Sequence, residues 1–209
     1  MSEPRPVPIR FLSAVILTGG ESRRMGRDKA LLPMPDGRPL VRWVADRLAT
    51  FCDPVFAVDP SPERLTQTGI RAVPDRIRGR GPLAGLVTGL EMSPHRLALV
   101  VGCDMPFVEE AVVRLLLDRI DDLDAAVPVI AGRLQPLGAI YATSLLERAI
   151  RLVEERPAGL HELLAEARIR RVTEAELRTV DPTLASFANL NTPTDLAGAV
   201  AHASGRALP

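Results

Sequence analysis

The sequence predicts an α/β domain built on a mostly parallel sheet with helices on both faces, and three observations predict it. Short apolar runs, beginning with Leu12–Leu17 (LSAVIL), alternate along the chain with segments of helical period. Those runs are nearly continuous in apolar residues rather than alternating, as in strands covered on both faces. Two of them end in glycine and then polar residues, at Gly19-Gly20 and at Gly102-Cys103-Asp104. In open α/β sheets ligands bind beyond such carboxyl ends.

Each element follows in order. The first strand stops at Thr18, Gly19 and Gly20, and a polar loop runs from 21 to 29. Pro39 then opens a segment in which Leu40, Trp43, Val44, Leu48 and Phe51 recur at helical spacing, with proline suited to a first turn. A second strand is expected at 55–58, a short helix at 62–67 and a third strand at 70–73. Residues 82–92 read as a helix despite Gly85 and Gly89, and 97–101 as another buried strand. Beyond it come a helix at 108–120, strands at 125–129 and 137–141, and a helix at 145–153. A helix at 160–167, a strand at 169–172 and a helix at 193–201 complete the pattern. Strands separated by helices make parallel neighbours, because a parallel pair needs a crossover connection.

Composition narrows the function. The 209 residues, 46% hydrophobic, suit one domain over 1–209 with an ordered core of about 10–203 and flexible termini. Lys+Arg and Asp+Glu both number 26, so no broad basic surface is available to hold nucleic acid by counterion release. No apolar run approaches the ~20 residues of a membrane span and the start carries no secretory pattern, so the expected setting is the cytoplasm. Cys52 and Cys103 are isolated and read as core residues; His95, His161 and His202 are scattered, which leaves oxygen ligands for any metal.

The loop after the first strand concentrates the chemistry. From Leu17 the chain reads LTGGESRRMGRDKALLP, which gathers three glycines with Arg23, Arg24, Arg27 and Lys29. Glycine lets backbone N–H groups approach an anion, and the cations add charge-assisted hydrogen bonds, so phosphate is the natural ligand. Lys29 is the only lysine in the chain; every other member of the 26 basic residues is arginine. Five residues separate Gly20 from Gly26, and Gly26 is not followed by Lys-Ser/Thr, so this is no Walker A loop; adjacent glycines also exclude GxGxxG.

That loop resembles the signature of the molybdenum cofactor guanylyltransferases, within the larger group of Rossmann-like nucleotidyltransferases. VPDRIRGRGPLAGL (73–86), VGCDMPF (101–107) and FANLNTPTDL (187–196) follow in the order the resemblance expects, with a weaker signal at QPLGAIY (135–141). The resemblance implies transfer of GMP from GTP to the phosphate of molybdopterin or Mo-molybdopterin, with release of pyrophosphate and with Mg2+ as cofactor. It implies that Leu17, Thr18, Gly19 and Gly20 meet the nucleotide, that Lys29 meets its phosphates, that Asp75 and Gly81 lie near the base or ribose, and that Asp104 holds the metal. Asn191 resembles the position that offers that ion a second oxygen, with Asn189 as a neighbouring candidate. Molybdoenzyme-maturation proteins are the partners such a product implies. Two places depart from the pattern: Thr18 where the family usually has Ala, and the end of the second strand, AVDP (57–60), where relatives can place a nucleotide-binding Asn.

Nucleotidyl transfer develops charge on the pyrophosphate leaving group and the α-phosphoryl oxygens, so cations and fixed donors are the main catalytic resource. Arg24, Lys29 and Asp104 are therefore the catalytic candidates, the last because Mg2+ prefers one or two carboxylates beside phosphate oxygens and water. Asp28 is expected to orient Lys29 or Arg24 by an ion pair, and Arg80, Arg133 and Gln135 are candidates for the pterin side. A phosphate acceptor is already largely dianionic at neutral pH, so no general base is needed. A cytidylyltransferase of the same group and an inactive nucleotide-binding regulator are the rival readings.

Overall fold

The computed structural model describes Ile9 and residues 11–19, 28–77 and 79–190. Its strands are β1 (Leu12–Leu17), β2 (Val55–Asp59), β3 (Ala72–Pro74), β4 (Leu97–Gly102), β5 (Ala125–Ile130), β6 (Arg133–Leu134), β7 (Ala139–Ala142) and β8 (Ile169–Val172). Its helices are α1 (Leu40–Leu48), α2 (Gly81–Met92), α3 (Glu110–Ile120), α4 (Leu146–Glu155), α5 (Leu160–Glu166) and α6 (Glu174–Arg178). The stretch expected as a short helix at 62–67 is a 3-10 helix, Pro62–Thr68. The expected helix at 193–201 lies outside the described residues.

One sheet runs β3-β2-β1-β4-β7-β5, with β6 and β8 both pairing β5. The pairs β1/β2, β1/β4, β2/β3 and β5/β8 are parallel, so the sheet is mostly parallel as expected. The strand β7 runs against both β4 and β5. No helix lies between β5 and β7, and their connection is shorter than the ~12 residues a parallel crossover needs, so the chain turns back on itself. Within that turn the two-residue β6 pairs with the end of β5, a strand too short to leave a periodic signal.

Side chains alternate across this sheet and separate two cores. Leu12, Ala14 and Ile16 of β1 and Leu99 and Val101 of β4 pack with Leu40, Val44 and Leu48 of α1 and Val112, Val113 and Leu116 of α3. Val15 and Leu17 of β1 and Ala98 and Val100 of β4 face the other way, onto Leu83, Leu86, Val87 and Leu90 of α2 and Leu152 and Val153 of α4. Burial on both sides explains the uninterrupted apolar runs. The two glycines inside α2 have a steric reason. A Cβ at Gly89 would sit 2.6 Å from Val15 Cγ1 and one at Gly85 would sit 3.0 Å from Leu17 Cδ2, so α2 lies directly against β1.

Cys52 and Cys103 are buried, free thiols, and burial pushes each up to about 12, which agrees with core roles. Among the described residues no helix is long and apolar enough to cross a membrane.

Candidate active site

The order β3-β2-β1-β4 sends the chain from β1 outward in one direction and then back to the other side, so the sheet's switch point lies between the carboxyl ends of β1 and β4. There the two strands are locked in register. Leu17 is opposite Gly102, and Cys103 N–H donates to the Leu17 carbonyl at 3.1 Å. Two of the three candidate catalytic groups, Lys29 and Asp104, meet here.

Lys29 stands on a one-turn 3-10 helix, Lys29–Leu31. Asp28 caps it, its Oδ1 accepting from Ala30 N–H at 3.1 Å. Ala30 is buried in the core, and Leu40 N–H donates to the Leu32 carbonyl at 2.8 Å, so the turn is fastened to the start of α1. From this base the Lys29 amine donates to Asp104 Oδ2 at 2.7 Å, with side-chain exposures of 17% and 21%. The sole lysine and the acid of GCDMP thus converge, although 75 positions separate them.

Asp104 is held by its neighbours. Cys103 and Met105 on either side are buried, and Met105 N–H donates to the Gly102 carbonyl at 3.2 Å to close the turn. A side chain at Gly102 would overlap Asp104 Oδ1, so glycine there leaves room for the carboxylate to fold back over the strand end. Leu190 N–H donates to the Asp104 carbonyl at 2.9 Å, which brings the chain just before Asn191 to the same turn. Asn191 itself lies outside the described residues, as do Gly20 and Arg24 with the rest of the loop 20–27; Asn189 is exposed.

The remaining sequence candidates divide. Thr18 and Gly19 directly follow β1, but the Leu17 carbonyl and the Thr18 N–H are already engaged, by Cys103 N–H and by the Val58 carbonyl at 3.2 Å. A Cβ at Gly19 would lie 3.2 Å from Pro60 Cδ, so glycine permits that close approach. Asp75 follows β3 on the same rim, two strands from β1, with Gly81 at the start of α2 in the left-handed region at φ +68°. Burial pushes the Asp75 carboxyl above its usual value, and the charge of Asp59 adds to this. Hydrogen bonds from Ile77 N–H at 3.2 Å and the Thr88 hydroxyl at 3.3 Å act in the opposite direction. Arg80 and Arg133 are exposed, and Gln135 lies just past β6.

A charged cluster beside the site was not anticipated. Asp59, last residue of β2, has a side chain only 1% exposed. Its Oδ1 accepts from Ser61 N–H at 2.8 Å and Arg64 Nε at 3.0 Å, and its Oδ2 accepts from the Thr18 hydroxyl and Arg64 Nη2. Burial alone would raise this carboxyl; the bonds from Arg64, Thr18 and Ser61 outweigh it and hold Asp59 below its usual value. Asp59 is therefore committed to the protein, and it joins the two departures noted in the sequence, Thr18 and the segment AVDP, as partners. Asp28 pairs with Arg64 and serves Lys29 through the turn that it caps; Arg24, its other expected partner, lies outside the described residues. The legible signal was an acid ending a buried strand with an arginine five positions on.

Among the described residues no group of three or more His, Cys, Asp or Glu side chains is placed to cage a metal. A single partly exposed carboxylate, Asp104, suits an ion that arrives with phosphate oxygens and keeps its waters.

A mostly parallel sheet with a cation and an acid meeting at its switch point, beyond a glycine-rich loop, is the architecture of a nucleotidyltransferase. Residues 14–174 match the family model described as the MobA-like NTP transferase domain, and the chain belongs to that family. The molybdenum cofactor guanylyltransferase of Desulfosudis oleivorans is 35% identical over 188 residues, covering 88% of this chain and 92% of the relative. The probable molybdenum cofactor guanylyltransferase of Pelotomaculum thermopropionicum is 35% identical over 185 residues, covering 88% and 89%. Among solved structures, molybdopterin-guanine dinucleotide biosynthesis protein A from Archaeoglobus fulgidus superposes with a TM-score of 0.80 at 28% identity, covering 92% of this chain and 99% of its own.

Proposed function

We propose that this nucleotidyltransferase is a molybdenum cofactor guanylyltransferase, which joins GMP from GTP to the terminal phosphate of molybdopterin. The reading rests on the relatives' activity together with one observation of this chain, the 2.7 Å meeting of Lys29 and Asp104 at the switch point. A phosphate oxygen of the pterin attacks the α-phosphorus of GTP. The bond from that phosphorus to the bridging oxygen breaks, and pyrophosphate leaves with the electron pair.

Lys29, fixed by its capped turn, supplies positive charge where the phosphates gain negative charge, and its position before substrate arrives means little reorganisation during the reaction. Arg24 belongs to the same proposal by its place in the loop. The acceptor phosphate has a second pKa near ~6, so it attacks as a dianion and no side chain need remove a proton. Asp104, with Asn191 as a second oxygen donor, would hold Mg2+. When bound, that ion supplies charge neutralisation on the phosphates and a template for them. Leu17, Thr18, Gly19 and Gly20 at the strand end, with Asp75 and Gly81 further along the rim, are proposed to seat the nucleoside. A cytoplasmic setting and delivery of the product to molybdoenzyme-maturation proteins complete the reading.

The test is pyrophosphate release with molybdopterin, magnesium and GTP, CTP or ATP, with the product identified by mass. The expected result is turnover with GTP and a guanine dinucleotide product. Preference for CTP would make the protein a cytidylyltransferase, and binding without turnover would make it a regulator.

A further inference from the structure

The Arg64 guanidinium joins three segments at the site. Its Nε and Nη2 hold Asp59 at the end of β2, its Nη2 also donates to the Thr18 carbonyl at 3.2 Å just past β1, and its Nη1 pairs with Asp28. A planar fork of donors suits this task, because one rigid group can satisfy several oxygens at fixed angles. Asp59 is fully buried and is itself pinned by Thr18 and Ser61 N–H, so the anchored end of the bridge is stiff. At the other end Asp28 has one oxygen on Arg64 and the other on Ala30 N–H, the cap of the turn that carries Lys29. Rigid sheet, guanidinium, carboxylate, capped turn and amine therefore form one connected path to Asp104.

We propose that Arg64 is a positioning residue for this active site: acting through Asp28, it sets the turn that aims the Lys29 amine at Asp104 and at the phosphates. The inference rests on the proposed function for its catalytic consequence, but its geometric core does not. The guanidinium is tied to Lys29 through Asp28 and the turn that Asp28 caps. Its loss disturbs an alignment, not a substrate contact, and a misplacement of about 1 Å can cost about a hundredfold in rate.

The lone lysine makes the geometry directly observable, since protein grown on [13Cε]lysine gives a single side-chain signal. The experiment compares wild type, Arg64→Gln, Asp28→Asn and the double variant at one fixed pH. It records the Lys29 signal and, separately, kcat and KM for GTP. Asp104→Asn provides the reference position for a Lys29 that has lost the Asp104 carboxylate.

The expected result is that Arg64→Gln and Asp28→Asn both move the Lys29 signal toward that reference. Both should lower kcat, by up to about a hundredfold, with KM for GTP changed far less, and the double variant should be no worse than Arg64→Gln alone. A Lys29 signal unmoved by Arg64→Gln, a silent Asp28→Asn, or additive losses in the double variant would each overturn the proposal. If Arg64→Gln fails to fold, Asp28→Asn decides by the same signal, because it leaves the Arg64–Asp59 bridge intact. Absence of GTP turnover in wild type would refute the proposed function and leave the Lys29 signal to decide the positioning.

Discussion

Replacing Lys29 with alanine removes the amine that meets Asp104 at the rim. The pair is 2.7 Å long with side-chain exposures of 17% and 21%, so it is neither a solvated surface pair nor a buried one. Exposed pairs contribute ~0–1 kcal/mol and truncating one partner of a buried pair costs ~3–5, so a folding cost of about 1–2 kcal/mol is expected here. Total stability of about 5–15 kcal/mol absorbs that loss. The effect on reaction is larger. Removing one fixed donor from developing charge costs about 2.7–4 kcal/mol, or about a hundred- to a thousandfold in kcat. The assay is pyrophosphate release with GTP, molybdopterin and magnesium, accompanied by a thermal melt. At about 2–4 °C per kcal/mol for a domain of this size, the melting point should fall by about 2–8 °C. A kcat within about threefold of wild type, far short of the expected loss, would refute the role given to Lys29.

Other outcomes follow from the same geometry. Gly89→Ala puts a methyl 2.6 Å from the β-branched Val15; overpacking of ~1–3 kcal/mol exceeds the ~1 kcal/mol gained in helix propensity, so the melting point should fall. Gly85→Ala meets only the end of Leu17, at 3.0 Å, and should be the milder of the two; the reverse order would contradict the packing of α2 on β1. The Asp59 carboxyl sits below its usual value of 3.8, so its contribution is present above that value and lost as pH falls through the depressed one. Melts of Asp59→Asn should therefore show a flatter acid limb below about pH 4 together with lower stability at neutral pH. Asp75 has the opposite sign: its raised carboxyl costs stability as pH rises past 3.8, so Asp75→Asn should melt higher at pH 7 while binding GTP more weakly. A lower melting point with unchanged GTP binding would remove Asp75 from the nucleotide site.

Much of this was legible in the residues because it was local. The apolar runs of β1 and β4 report a strand covered on both faces, and Pro39 and the spacing from Leu40 to Leu48 report a helix, before any contact is known. Gly19, Lys29 and Asp104 were legible as ends of buried strands and as an isolated amine. Other features depended on partners distant in sequence. Arg64 reads as one arginine among many until the sheet sets Asp59 and Asp28 on either side of it. The reversal of β7 had a local sign, two strands with no helix between them, and α6 had one too. Thr173 and Glu176 form a capping box, with Thr173 N–H donating to Glu176 Oε2 at 2.9 Å, ahead of a helix only five residues long.

The central claim is that a guanosine triphosphate lies against the Lys29 amine at the β1–β4 switch point. Because no other lysine competes, acylation of that amine, read by mass spectrometry on the peptide that contains it, measures the claim directly. GTP with magnesium should slow the modification in proportion to its occupancy of the protein, and CTP at the same concentration should slow it less. Saturating GTP that leaves the modification rate unchanged would place the triphosphate elsewhere and contradict the account.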